Sequence, residues 1–163
     1  MNSVYLITGS NIGNRLLNLK KAEELIIQRI GNLISTSPVF ETEAWGYSSV
    51  QSFYNQCFCL KSGLKAKIIL KELLGIEREM GRKRGGVNYE DRIIDIDILF
   101  YNDEIINTKI LTIPHPRLQE RRFVLVPLAE IAGGFIHPVL GKSIGELLLE
   151  CEDKLNIKQL GSI

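Results

Sequence analysis

Two aspartates lie within an otherwise apolar run, Arg92-Ile93-Ile94-Asp95-Ile96-Asp97-Ile98-Leu99-Phe100, and this run constrains the fold more than any other segment. Isoleucine at this density predicts a β-strand, in which alternate side chains point to opposite faces. Asp95 and Asp97 therefore share one face. The apolar residues predicted to line the other face are Ile94, Ile96, Ile98 and Phe100. Because carboxylates that leave water need a cation or donors nearby, the pair indicates a divalent metal site, with a solvated edge strand as the alternative.

The patterns that precede this strand predict the order β-α-β-β-α-β. Strands are predicted over residues 3–8, 33–40 and 53–62, and amphipathic helices over residues 19–30 and 66–80. Pro38 indicates an edge or a bulge in the second strand. With both helices on one face, this order is that of a ferredoxin-like α+β sandwich.

Several additions follow the aspartate strand. Asn102-Asp103 and the apolar pieces after it predict a small hairpin, and a rigid bend at residues 113–116 leads into a helical region over residues 117–131. Ser143-x-x-Glu146 is a capping box that opens a last helix through Leu149. These additions give the sandwich a three-layer αβα tendency. Residues 152–163 lack a pattern and are expected to fray.

Length and composition favour one ordinary globular domain over residues 1–163, with 45% hydrophobic residues. A net charge of +1 provides no general field for nucleic acid or for acidic membranes. No apolar run reaches the ~20 residues of a membrane span, and the first residues read as a strand and a turn rather than a signal peptide. We therefore expect a cytoplasmic protein.

The three cysteines do not form a disulfide framework in a chain of this length. Cys57 and Cys59 share one strand face but lack the second pair that a zinc site needs, and Cys151 stands alone. All three are expected to be small, reduced packing residues.

A cluster of arginines surrounds the aspartate pair in sequence. Arg82 and Arg84 follow the second helix, and Arg92 immediately precedes the aspartate strand. Guanidinium groups grip phosphate oxygens bidentately and metal ions neutralise them, so this combination favours polyphosphate chemistry. A solvated basic loop is the alternative.

Other segments give weaker signals. Phe53 and Asn55 share a strand face and suit a flat, hydrogen-bonding heterocycle, although such a pair more often packs in a core. The turn at residues 9–15 lacks the endings of known phosphate loops and is read as a tight turn. Residues 41–52 and 82–91 are predicted to form long functional loops.

The chain resembles the 6-hydroxymethyl-7,8-dihydropterin pyrophosphokinase family over about residues 3–150. This family transfers pyrophosphate from ATP to a pterin alcohol in folate biosynthesis. The matching segments are GSNIGNR at 9–15, SPVFETEAWG at 37–46, FYNQ at 53–56, EREMGRKR at 77–84, RIIDIDILFY at 92–101 and IPHPRLQERRFVLVPLAEI at 113–131.

The resemblance implies roles for individual residues. Asp95 and Asp97 match the aspartates that hold two Mg²⁺ ions, and Arg82 and Arg92 match residues that stabilise the transferred phosphates. The implied ATP-binding residues are Glu77, Arg84, Ile98, Thr112, His115 and Arg121. The implied pterin-binding residues are Thr42, Ala44, Trp45, Phe53, Asn55 and Phe123. The implied partners are ATP and the hydroxymethyl dihydropterin, with no nucleic acid and a monomeric protein.

Three positions depart from some members of the family. Asn88-Tyr89 stands where others carry Arg-Trp, and Ile110 stands where others carry a basic residue. These departures bear on single ATP contacts rather than on the reaction. Two other functions stay open from the residues alone: a non-catalytic ferredoxin-like module that binds RNA or a small ligand, and another ATP-dependent phosphotransferase.

Overall fold

The computed structural model describes residues 1–43, 51–81 and 92–161. In these residues, six strands form one antiparallel sheet in the order β5-β1-β4-β3-β8, with β2 also paired to β4. The strands are β1 (Asn2–Ser10), β2 (Asn32–Thr36), β3 (Phe40–Thr42), β4 (Phe53–Ser62), β5 (Asp95–Tyr101) and β8 (Ile157–Gln159). β5 thus lies at one end of the sheet, beside β1.

Helices cover both faces of this sheet. They are α1 (Arg15–Arg29), α2 (Ala66–Glu79), α3 (Arg122–Ala132) and α4 (Ile144–Glu150). Apolar residues of α1 and α2 form one core against Leu6, Phe58 and Ile96. Residues of α3 and α4 form a second core with Ile7 and Cys57 on the opposite face. The ferredoxin-like β-α-β-β-α-β order and the three-layer arrangement are therefore confirmed.

A β-bulge in β5 corrects one prediction from the sequence. Leu6 pairs with Ile98 while Tyr5 pairs with Phe100, so Leu99 is an extra residue in β5. Ile94, Ile96 and Ile98 face α1 and α2 as predicted. Phe100 instead joins the second core with Leu99, because the extra residue reverses the alternation of side chains.

Three further predictions about the sheet were also wrong. The strand predicted over residues 33–40 is divided at Pro38 into β2 and β3, which pair with successive parts of β4. Glu41 and Thr42, predicted to begin a loop, lie in β3. The segment predicted to fray contains β8, which pairs with the free edge of β3. The backbone ladder stabilises this short strand although its side chains show no clear pattern.

The additions after β5 follow the predictions closely. β6 (Ile106–Asn107) and β7 (Thr112–Ile113) form the expected hairpin, and the bend contains a cis Ile113–Pro114 peptide bond. A short 3₁₀ helix at Leu118–Glu120 precedes α3. The capping box of α4 is present, because Ser143 accepts from the Glu146 N–H and Glu146 accepts in return.

The three cysteines are free and buried, as predicted. None of the helices in the described ranges combines the length and apolarity of a membrane span.

Candidate active site

The pterin-side and aspartate residues predicted from the sequence meet across strand β1. Gly9 pairs with Asn55 of β4 on one side and with Asp95 of β5 on the other. Neighbouring strands are about 4.7–4.9 Å apart, so the Asn55 and Asp95 backbones are separated by roughly 10 Å. The same face carries Asp97, which lies opposite Ile7. A small substrate held at Asn55 therefore lies beside the carboxylates.

Gly9 makes this arrangement possible because it has no side chain. A Cβ atom built at Gly9 would lie 2.6 Å from Nδ2 of Asn55 and 3.7 Å from Cδ1 of Phe53. The first distance is much shorter than any van der Waals contact. The Asn55 amide and the Phe53 ring therefore occupy the space that a side chain on β1 would fill.

The amide of Asn55 is held in one orientation. Its Oδ1 accepts from the Thr42 hydroxyl at 3.3 Å, and its Nδ2 donates to the Thr8 carbonyl at 3.3 Å. An amide has two donors and two acceptor sites, so Asn55 keeps capacity for a ligand. Phe53 lies on the same face of β4, and Phe123 belongs to α3, which packs on that face.

Arg92 is hydrogen-bonded both to Asn11, in the turn after β1, and to Asp95, at the start of β5. Its backbone N–H donates to Oδ1 of Asn11 at 2.6 Å, and its carbonyl accepts from the Asn11 N–H at 3.0 Å. Its guanidinium Nη1 donates to Oδ2 of Asp95 at 2.9 Å, in an ion pair whose side chains are each 22% exposed. The turn before α1, read from the sequence as a simple tight turn, thus fixes the start of the aspartate strand.

Asp97 is strongly influenced by its neighbours. Burial raises its pKa first, and the nearby carboxylates of Asp95 and Glu77 raise it further, to about 7. The guanidinium groups of Arg121 and Arg92 act in the opposite direction but do not offset these effects. The anionic form of Asp97 is therefore costly unless more positive charge is present.

A bound Mg²⁺ ion fits this donor set. Mg²⁺ prefers oxygen ligands and is commonly held through one or two carboxylates together with phosphate oxygens and water. Asp95 and Asp97 supply two carboxylates on one strand face. In residues 1–43, 51–81 and 92–161 no group of three or more His, Cys, Asp or Glu side chains is arranged to hold a metal ion.

A cavity of about 810 Å³ adjoins Asp97 at the open edge of β5. Its volume is in the range of small-molecule sites. It brings together the predicted residues Ile98, Thr112 and His115 with Asp97. Three cations of α2 also line it: Lys67, Lys71 and Arg78. Their spacing along one helix face could have indicated a basic surface, but these three residues were not predicted to belong to the site.

His115 is a neutral donor at this cavity. Its Nδ1 accepts from the Arg117 N–H at 3.2 Å, so the ring proton of the neutral form is on Nε2. Burial lowers its pKa to about 4, the positive charges of Arg121 and Arg117 act in the same direction, and the Asp95 carboxylate opposes them. Arg121 is another predicted ATP-binding residue. Its guanidinium carbon lies 5.7 Å from the centre of the Phe123 ring.

Of the remaining predicted residues, Glu77 approaches the aspartate strand from α2, and four lie outside the described residues. The Glu77 carboxylate is buried and accepts from the Ile96 N–H. Arg82, Arg84, Ala44 and Trp45 lie outside the described residues.

Arg15 joins two elements beside the site, although no sequence pattern assigned it a role there. Its Nη1 donates to the carbonyl and hydroxyl of Ser52 at 2.9 and 2.8 Å, and its guanidinium lies 3.8 Å from the centre of the Tyr54 ring. It thus connects the start of α1 to the start of β4.

Comparison with known proteins identifies the family. A family model described as 7,8-dihydro-6-hydroxymethylpterin-pyrophosphokinase (HPPK) matches residues 5–133. The chain is 39% identical over 146 residues to the 2-amino-4-hydroxy-6-hydroxymethyldihydropteridine pyrophosphokinase of Aquifex aeolicus, covering 90% of each chain. It is 42% identical over 138 residues to the protein of that name from Porphyromonas gingivalis, covering 83% of this chain and 93% of that one.

Longer proteins contain a similar unit. The chain is 40% identical over 163 residues to the folic acid synthesis protein FOL1 of Dictyostelium discoideum, of which it spans 23%. Among solved structures, Plasmodium falciparum HPPK-DHPS matches 92% of this chain with a TM-score of 0.74 and 20% identity, and the chain spans 43% of its length. This structural likeness supports the fold.

We predict that Asp97→Asn raises the melting temperature of the metal-free protein at pH 8. The pKa of Asp97 is raised from 3.8 to about 7, so its contribution to stability is fully present below about pH 4 and is lost as the pH rises through 7. Asparagine carries no charge and avoids this loss. The expected gain at pH 8 is roughly 2–6 °C, with little change at pH 4.

Melting curves in EDTA measure this effect, with Asp103→Asn on the exposed turn after β5 as a matched control. A melting temperature of Asp97→Asn at or below that of the wild type at pH 8 would contradict the assigned environment of Asp97.

Proposed function

The chain belongs to the 7,8-dihydro-6-hydroxymethylpterin-pyrophosphokinase family, and from this membership we propose how its residues transfer pyrophosphate from ATP to the pterin hydroxymethyl group. The protein is an ATP-dependent diphosphokinase of folate biosynthesis, and its products are AMP and the pterin diphosphate. The observation that carries the residue assignment is the pairing of Gly9 with both Asn55 and Asp95. This pairing supports an acceptor site and a phosphate site on β4 and β5, the two strands that flank β1.

The pterin is proposed to bind on the Asn55 side of β1. Asn55 reads the edge of the heterocycle, and Thr42 fixes the Asn55 amide through its hydroxyl. Phe53 and Phe123 stack on the two faces of the ring. Aromatic rings suit a flat ligand because stacking buries apolar area without constraining its polar edge. Ala44 and Trp45 are assigned to the same site by family resemblance alone.

ATP is proposed to bind in the cavity at the edge of β5. Ile98 and Thr112 line it and contact the nucleoside, and His115 donates from Nε2 to an oxygen of the ligand. Arg121 and Arg84 are assigned to the phosphates. Lys67, Lys71 and Arg78 add positive charge along the α2 wall, which favours a polyanion.

Asp95 and Asp97 are proposed to hold two Mg²⁺ ions together with the ATP phosphates. When bound, Mg²⁺ neutralises phosphate oxygens and orients them for an in-line displacement. The burial and the carboxylate repulsion that raise the pKa of Asp97 are then opposed by attraction to a cation. Binding of metal and nucleotide therefore relieves a cost that the aspartate strand carries on its own.

The remaining groups hold the reactants in position. Transfer of a pyrophosphoryl group depends on alignment and charge stabilisation rather than on a covalent enzyme intermediate. The backbone of Arg92 is hydrogen-bonded to Asn11. The guanidinium of Arg92 can therefore move from Asp95 to a phosphate while the Arg92 backbone stays in place. Arg82 is assigned a parallel role by resemblance. In this scheme the hydroxymethyl oxygen attacks the β-phosphorus and AMP leaves.

The wider setting of the enzyme is also a proposal. We propose that residues 1–163 act as one catalytic domain, as a monomer in the cytoplasm and without nucleic acid. Three free, buried cysteines are consistent with a reducing compartment. The net charge of +1 offers no general attraction for RNA.

We predict that the wild-type protein with Mg²⁺, ATP and the hydroxymethyl dihydropterin forms AMP, and that Asp97→Ala abolishes it. Removing one carboxylate leaves the phosphates without a fixed metal, while the fold is retained because Asp97 is not part of either apolar core. Nucleotide chromatography measures the product, and circular dichroism checks the fold. Asp103→Ala, on an exposed turn, is the matched control.

The product also separates the proposed function from its alternatives. ADP would indicate an ordinary kinase, and no nucleotide product from the wild type would favour a binding module. Near-normal AMP formation by Asp97→Ala would contradict the metal assignment alone.

We predict that Gly9→Ala weakens pterin binding by about tenfold or more while leaving the KM for ATP nearly unchanged. The added Cβ would lie 2.6 Å from the Asn55 amide and displace it from the Thr42 hydroxyl and the Thr8 carbonyl. Loss of one buried hydrogen bond costs about 1–3 kcal/mol, which corresponds to this factor. Calorimetry with the pterin and steady-state kinetics measure the two effects.

Gly134→Ala is the control for the backbone effect of the substitution, because a Cβ there meets no atom within 4 Å. Equal pterin affinity in Gly9→Ala and the wild type would place the pterin away from Asn55.

A further inference from the structure

The carboxylate of Glu77 is bonded to the backbone of the aspartate strand. Glu77 lies in the last turns of α2 with only 1% of its surface exposed. Its Oε2 accepts from the Ile96 N–H at 2.9 Å. Ile96 is the residue between Asp95 and Asp97, so this hydrogen bond holds the backbone between the two proposed metal-binding aspartates.

The position of β5 explains why this bond matters. Within residues 1–43, 51–81 and 92–161, β1 is the one strand of the main sheet that pairs with β5, so every second backbone N–H of β5 points away from this ladder. Such an amide must find another acceptor or lose its hydrogen bond on burial. The Glu77 carboxylate supplies that acceptor from α2.

The same geometry separates Glu77 from the nucleotide cavity. The α2 residues that line the cavity include Leu74 and Arg78, whereas Glu77 is directed to the Ile96 amide and is not among the lining residues. α2 thus presents cations to the cavity and one carboxylate to the strand. A role for Glu77 as a direct ATP contact does not follow from this arrangement.

We propose that Glu77 is a positioning residue that fixes the backbone between Asp95 and Asp97 and thereby sets the relative placement of the two metal-binding carboxylates. The proposal rests on the function assigned above, because it gives Glu77 a role in the use of Mg²⁺. The hydrogen bond, rather than the negative charge of Glu77, carries this role. Metal ligands held by a rigid second set of contacts bind their metal more tightly than loosely held ones.

Two substitutions at Glu77 separate the hydrogen bond from the charge. Glu77→Gln keeps an oxygen acceptor and removes the charge, whereas Glu77→Leu removes both at similar volume. In metal-free protein, hydrogen exchange of the Ile96 amide measured by NMR is expected to be at least tenfold faster in Glu77→Leu than in the wild type. Glu77→Gln is expected to retain most of the protection.

The activity measurements follow the same pattern. The Mg²⁺ concentration for half-maximal AMP formation is expected to rise at least tenfold in Glu77→Leu, with a near-normal KM for ATP at saturating Mg²⁺. Glu77→Gln is expected to restore Mg²⁺ dependence close to that of the wild type. Glu79→Gln is the control, because Glu79 is exposed on the same helix and pairs with Arg29 away from β5.

Three results would overturn the proposal: unchanged Ile96 exchange in Glu77→Leu, equal impairment of the Gln and Leu variants, or a defect confined to the KM for ATP. Circular dichroism and melting curves check that both variants fold. Because the exchange measurement needs neither metal nor substrate, it tests the structural role of Glu77 even if the wild-type protein forms no AMP. Absence of AMP in the wild type would instead count against the proposed function.

Discussion

The burial of neighbouring carboxylates at the edge of the sheet is the constraint on which the site depends. Asp95 and Asp97 lie on one face of β5, and Glu77 approaches the same strand from α2. Burial and these neighbours raise the pKa of Asp97 to about 7, despite the opposing charges of Arg121 and Arg92. A sheet edge otherwise gains nothing from such a cluster. The cost of ionising Asp97 is offset when a doubly charged cation binds, and the polyphosphate in turn compensates the charge of that cation.

Strand β1 converts this local constraint into a two-substrate site. Gly9 has Asn55 and Asp95 as its partners on either side, and the space left by its missing side chain is occupied by Asn55 and Phe53. Asn11 then fixes the start of β5 through both backbone groups of Arg92. The short turn between β1 and α1 therefore helps to set the distance between the proposed pterin site at Asn55 and the proposed phosphate site at β5. A rigid central strand favours catalysis by positioning, in which small displacements are costly.

Local patterns predicted the parts of this fold that depend on local chemistry. The alternation in β4 and the spacing of apolar residues in α2 followed from side-chain periodicity, and Ser143 capped its helix as expected. Phe100 and β8 were mispredicted because a bulge and a strand pairing are decided by partners distant in sequence. Asp95 and Asp97 could be identified from the sequence because the alternation of side chains within one strand puts both on the same face. The roles of Gly9 and Asn11 depend on contacts across strands, which no periodicity within one segment reveals.

The electrostatics of the nucleotide cavity also depend on tertiary structure. Ile110 lines this cavity and brings no charge to it, so this residue by itself predicts no ion pair with a phosphate there. The facing wall, however, carries Lys67, Lys71 and Arg78 from α2. The potential inside a cleft depends on the summed charge of its walls rather than on the segment from which each charge comes. The uncharged Ile110 and the three cations of α2 therefore act on a ligand together, because they line the same cavity.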